Sequence, residues 1–288
     1  MFFACMGILT HVLRETFPWQ TIALVRTTLA LVIATSLVWS EGATFVLFRP
    51  ATLWIRSISG SCSLVLTFYA LTHAHSLAEV LVLTNMFPVW VALLSWPVLG
   101  TFPRWDAWLA IAIGLIGVVV MQRPGAGEID GALLAAAGAS LTTSVAMLGL
   151  HRLKHLEPSA IVTHFSAVSV LFCVATMWLF PLADVASGAW SSWNILLLIG
   201  VGASATAGQL FLTKAFAAGV PAKVSVVGLS QVCFTAIADS LFWGRSLETH
   251  TLVGMALIIA PTIWLLLRSG SRNVASLAKA EKVPPPIE

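Results

Sequence analysis

Apolar residues in this chain come in long unbroken runs, not in alternation. The runs cover roughly 18–39, 57–74, 77–99, 105–121, 130–150, 159–182, 193–213, 220–243 and 250–267, and short stretches carrying Pro, Gly, Arg or Trp separate them. Each run is near the roughly 20 apolar residues that carry a helix across a bilayer. A membrane β-barrel alternates apolar and polar residues along each strand, so continuous runs predict helices. The first twelve residues, MFFACMGILTHV, are apolar but make only about half a span. They lack the basic start and the small-residue cleavage site of a signal peptide. The expectation is the second half of a tenth helix whose beginning lies upstream of Met1.

Composition turns these nine and a half runs into a class. Of 288 residues, 58% are hydrophobic and 9% charged, against about 25% charged in an average soluble domain. Mean hydropathy is +0.94. Charged side chains supply much of a soluble protein's polar surface, so these numbers exclude an ordinary soluble enzyme, a nucleic-acid binder and a disordered chain. They predict an all-α polytopic membrane protein with short loops, whose first partner is the lipid bilayer. The four cysteines stand singly in apolar stretches and read as packing thiols.

The net charge of +3 is small, but its placement is informative. With ten helices and both ends inside, ten Lys and Arg residues fall on inner segments, Arg49, Arg56, Arg104, Arg152 and Lys223 among them. Arg14, Arg123 and Arg245 fall on outer loops. That bias sets a cytoplasmic C-terminus in the plasma (inner) membrane. The polar, mildly basic stretch at 268–288 reads as a disordered cytoplasmic tail.

The halves echo each other at a shift of 144 residues. Leu77-Ala78-Glu79-Val80 falls on Pro221-Ala222-Lys223-Val224, Gly100 falls on Gly244, and LAIAIGLIGV at 109–118 falls on VGMALIIAPT at 253–262. The shift spans five helices, an odd number, so the second copy lies upside down in the membrane. Inverted repeats of this kind build secondary transporters, with the site near the midplane between the halves.

On these residues the chain resembles the EamA family of the drug/metabolite transporter superfamily. The first copy reads Tyr69-Ala70-Leu71, Ser76-Leu77-Ala78, Leu99-Gly100 and Gly114-Leu115-Ile116-Gly117. The second reads Lys214-Ala215-Phe216, Pro221-Ala222, Trp243-Gly244, Gly254 and Ala260-Pro261. Arg26, in ALVRTTLALV, matches the arginine that often opens the second helix of that family. The Glu expected after each helix-ending glycine is replaced by Thr101 and Arg245. The resemblance implies ten transmembrane helices in two inverted repeats: a first, incomplete repeat at 1–121, an outer linker at 122–129, and a second repeat at 130–267. It implies no cofactor and does not name a cargo.

An ionisable group at mid-bilayer costs at least ~2.5–3.5 kcal/mol on insertion scales, which makes it a functional candidate. Arg26 lies about 12 Å into its helix at 1.5 Å per residue. It is expected to face the bundle, held by an anionic substrate group or by Glu15, Glu79 or Asp239. Glu79 stands at a helix start, where negative charge is favourable without any function. Asp239 lies near a helix end, where Arg245 is an alternative partner. Either carboxylate is a candidate proton carrier. Asn85, Gln209 and Gln231 place amides inside spans, where they serve a polar solute or bond across helices. Phe87 and Trp90 are deep enough to line a cavity. His164 lies inside a span and is read as a hydrogen-bonded packing histidine. No metal site is expected.

Small residues at four-residue spacing, Gly131, Ala135 and Ala139 and then Gly200, Ser204 and Gly208, predict close helix crossings. No nucleotide-binding motif is present, so transport would run on a gradient. The expected function is secondary transport of small organic metabolites such as amino acids, in the export direction, with protons, another ion or the solute gradient alone left open as the driving force. An importer, or a non-transporting receptor or assembly factor, is the alternative. A homodimer is compatible with either.

Overall fold

The computed structural model describes residues 1–73, 77–124, 130–180, 185, 188–244 and 247–281, and among these there is no strand. Twelve helical segments follow one another. They are α1 (Phe2–Leu13), α2 (Trp19–Glu41), α3 (Ala51–His73), α4 (Leu77–Thr84), α5 (Phe87–Leu99) and α6 (Trp105–Gln122). Then come α7 (Gly131–Arg152), α8 (Pro158–Leu179), α9 (Ser192–Ala218), α10 (Pro221–Gly228), α11 (Ser230–Trp243) and α12 (Thr249–Glu281). Only Asn85 and Met86 separate α4 from α5, and only Leu229 separates α10 from α11. The described residues therefore make ten rods.

Seven of the rods are long and apolar enough to cross a membrane. The 23-residue α3 is not among them: it carries Arg56 and the serines at 57, 59, 61 and 63. α1 is a short apolar helix, as is the 249–265 stretch of α12. The protein is a multi-pass membrane protein. Large apolar side chains such as Trp105, Trp178 and Leu241 are more than three-quarters exposed, which suits a surface solvated by lipid. Trp190 and Trp193, just before and at the start of α9, are exposed as well.

Helix ends follow local chemistry. Gly100 and Gly244 close α5 and α11 in the left-handed conformation, at φ 69° and 63°, where a Cβ is penalised. Asp130 caps α7 by accepting the Leu133 N–H at 2.8 Å, and the Ser191 hydroxyl caps α9 from Asn194.

Two boundaries depart from expectation, and two rods carry an interruption. The run placed at 57–74 begins at Ala51, immediately after Pro50, so Arg56 belongs inside α3 and not to an inner loop. The runs expected at 77–99 and 220–243 each hold one candidate span, Glu79–Leu99 and Pro221–Phe242; the first is interrupted where Pro88 enters the opening turn of α5 and removes a backbone donor. The helical backbone of α12 runs past Leu267 to Glu281, where disorder was expected. Ala275, Leu277, Ala278 and Ala280 are strong helix formers and no proline interrupts them before Pro284. Most of the linker expected at 122–129 lies outside the described residues.

Packing partners answer each other across the halves. α3 lies on α7, and α9 on α1; α3 lies on α8, and α9 on α2; α5 lies on α7, and α11 on α1. α2 meets α8 and α6 meets α12. The small-residue stripes lie on these crossings. A Cβ at Gly200 would meet Leu9 of α1 at 2.9 Å, and one at Gly208 would meet Phe3 at 3.0 Å. Leu53, Val91, Leu148, Leu150, Ile161 and Phe216 form one buried cluster drawn from α3, α5, α7, α8 and α9.

Candidate functional site

α3 is the helix that carries polar groups into the bundle. Ser57 and Ser61, four residues apart, lie on one helical face and turn to α8. The Ser57 hydroxyl is 2.8 Å from Nδ1 of His164, and the Ser61 hydroxyl is 2.8 Å from that of Ser169. Ser63 turns to α7, 2.5 Å from the Thr143 hydroxyl, and donates to the Ala139 carbonyl at 3.1 Å. The other ring nitrogen of His164, Nε2, lies 3.1 Å from the Leu47 carbonyl. A carbonyl only accepts, so Nε2 bears the hydrogen and a neutral ring accepts from Ser57 at Nδ1. Trp54 stands edge-on to the same ring, 4.7 Å away. His164 is thus the hydrogen-bonded packing residue expected from its sequence.

Arg56 lies beside this polar seam and is 1% exposed. Glycines make room for it. A Cβ at Gly60 would stand 2.8 Å from its Nη1, and one at Gly149 would stand 3.0 Å from its Cβ. Its guanidinium carbon lies 3.9 Å over the ring of Phe165, within cation–π range. Nη2 donates to Oε1 of Gln209 at 3.2 Å. Nε and Nη1 are buried with no hydrogen-bond partner. The described ion pairs, Arg14–Glu15, Arg104–Asp106 and His250–Glu248, do not include it. Four rods, α3, α7, α8 and α9, therefore enclose one cation.

The two breaks in the bundle meet nearby. Phe87 opens α5 and Gly228 closes α10; a Cβ on Gly228 would lie 3.3 Å from Cζ of Phe87. Phe87 also packs against the buried cluster that contains Leu53 of α3. At the first break the Asn85 side chain donates to the Leu81 carbonyl at 2.7 Å. At the second, Ser230 donates to the Val227 carbonyl at 2.7 Å. Met86 and Leu229 keep right-handed helical dihedrals, so each rod is interrupted in its hydrogen-bond ladder without being unwound.

The expected site residues divide into two groups. Gln209 holds Arg56, and Phe87 packs on the apolar cluster that contains Leu53. Trp90 reaches α7, its Nε1 donating to the Ser140 hydroxyl at 3.1 Å. Arg26 is half-buried on α2, and among the described ion pairs none joins it to Glu15, which pairs instead with Arg14 at 4.0 Å. Glu79 is half-buried in the first turn of α4. Gln231 is exposed on α11, and the Asp239 side chain lies outside the described residues. Asn85 directs its amide into its own helix. Sequence reading missed Arg56 because it was assigned to a loop. Two signals pointed to it: Pro50 marks an earlier helix start, and Gly60 follows Arg56 by four residues on the same face.

The fold and this enclosed centre define a multi-helix membrane protein with a polar interior. The chain belongs to the EamA-like transporter family, whose profile matches residues 1–123 and 129–267. It is 28% identical over 271 residues to the pseudopaline exporter of Pseudomonas aeruginosa, covering 91% of both chains. It is 22% identical to the human solute carrier family 35 member G1, over 75% of this chain and 62% of that one. It is 27% identical to an S-adenosylmethionine uptake transporter of Rickettsia conorii, over 56% and 53%. A solved crystal structure shares the fold with a TM-score of 0.77 at 17% identity, over 91% of this chain and 92% of its own.

Proposed function

We propose that this protein is a secondary exporter of small organic metabolites, working by alternating access between two inverted repeats at 1–121 and 130–267. The observation that carries the reading is the matched packing of the halves, with an interrupted rod from each meeting at Phe87 and Gly228. Secondary transporters built from inverted repeats hold their solutes at the interface between the repeats. Export is favoured because the relative named as an exporter covers 91% of this chain, and the one named for uptake covers 56%. The cytoplasmic C-terminus is supported by the basic residues: with Arg56 assigned to α3, nine remain on inner segments against three outside.

The test compares metabolites inside and outside cells with and without the protein. Solutes depleted inside and enriched in the medium are expected. Identical sets would end the reading, and the opposite sign would make the protein an importer. Proton coupling is assigned to Glu79 and Asp239. The Glu79→Gln, Asp239→Asn double variant should lose the pH dependence of flux, and retained dependence removes both carboxylates from the mechanism.

A further inference from the structure

We propose that Arg56 is the anion-recognition residue of this protein, and that the solute it moves carries a carboxylate held by that guanidinium. This deepens the transport reading above and rests on it. A guanidinium stays protonated in proteins and presents five N–H donors. One described hydrogen bond, to Gln209, engages it. Nε and Nη1, which carry three of the five donors, have no acceptor. Gln209 is neutral, and Phe165 offers a ring face, so neither cancels the charge. A buried charge without a counter-ion is strongly unfavourable, and none of the described ion pairs supplies one. The missing partner is an anion with several acceptor sites, and a carboxylate offers two oxygens with about four lone-pair positions.

Placement agrees. Arg56 is the sixth residue of α3, roughly 8 Å along the helix from its start. In the proposed orientation that start faces the cytoplasm, the side from which an exporter loads. Arg56 touches residues of both repeats, Gly60 in the first, and Gly149, Phe165 and Gln209 in the second. Movement of one repeat against the other therefore opens or closes its surroundings. At 1% exposure, the conformation seen is closed around it, and the carboxylate enters when the repeats part.

The test uses the full chain in proteoliposomes loaded with a cytosolic metabolite extract, divided by anion exchange into anionic and non-anionic fractions. One portion of the anionic fraction is methyl-esterified at its carboxylates. Solutes of the untreated anionic fraction should leave wild-type vesicles, and the esterified ones should stay. Arg56→Gln should slow that efflux about tenfold or more, the scale of losing a charge-assisted hydrogen bond, and Arg56→Lys should restore part of it. Efflux of the non-anionic fraction alone, of esterified solutes at the untreated rate, or of chloride in their place overturns the proposal. So does undiminished efflux with Arg56→Gln. If that variant does not fold, the esterification arm decides with wild-type protein. No efflux from any fraction refutes the transport reading and this inference with it, which separates that failure from the others.

Discussion

Single residues decide how polar groups survive inside this bundle. His164 has both ring nitrogens engaged, by Ser57 and by the Leu47 carbonyl. Ser57→Ala leaves Nδ1 without its donor. Hydrogen bonds between membrane helices contribute roughly 0.6–2 kcal/mol, so the variant should lose about 1 kcal/mol. Thermal unfolding in detergent reads this as a lowered midpoint, with the transported solute unchanged. An unchanged midpoint would mean water replaces the hydroxyl. Arg26 was legible as a deep cation from sequence because a long apolar run surrounds it. Arg56 was not, because Arg49 and Pro50 lie just upstream and the group reads as one basic loop.

Helices meet where side chains are small. α6 and α12 cross at Gly117 and Gly254: a Cβ on Gly117 would lie 2.7 Å from the Gly254 carbonyl oxygen, and one on Gly254 would lie 2.6 Å from that of Gly117. Backbone cannot yield as a flexible side chain does. Gly117→Val should destabilise the fold by about 1–3 kcal/mol or more, the scale of overpacking, seen as aggregation or a lowered midpoint in gel filtration after heating. Gly7, with open space where its Cβ would be, is the control, and Gly7→Ala should behave as wild type. Four-residue spacing of small residues revealed the α9 stripe in advance. The breaks at Asn85–Met86 and Leu229 were less legible. The flanking residues are as apolar as the rest of each run, and hydropathy does not distinguish a broken apolar rod from a continuous one.

At the scale of the molecule, the proposed orientation makes one further prediction. A fluorescent protein fused after Glu288 should fold and fluoresce in intact cells, and alkaline phosphatase fused there should stay inactive, since each is active on one side of the membrane. The reverse pair would invert the orientation and with it the loading side assigned to Arg56. The family, the all-helical class and the positions of helix-ending Gly100 and Gly244 were all legible along the chain. They depend on local hydropathy and on backbone conformations that neighbouring residues dictate.

The sequence by itself determined that this chain lives in a bilayer, roughly where its helices run and which small residues let them approach. Bilayer thickness and the need to satisfy every backbone group act on each run separately. The tertiary structure alone decided which polar groups face inward together. Arg56 and Gln209 are 153 residues apart in sequence, and their meeting depends on how α3 and α9 are rotated about their axes. That rotation is set by packing against α7 and α8, an interaction between distant segments that no single run encodes. It turns a cation counted with the loops into the most enclosed charge described in the bundle.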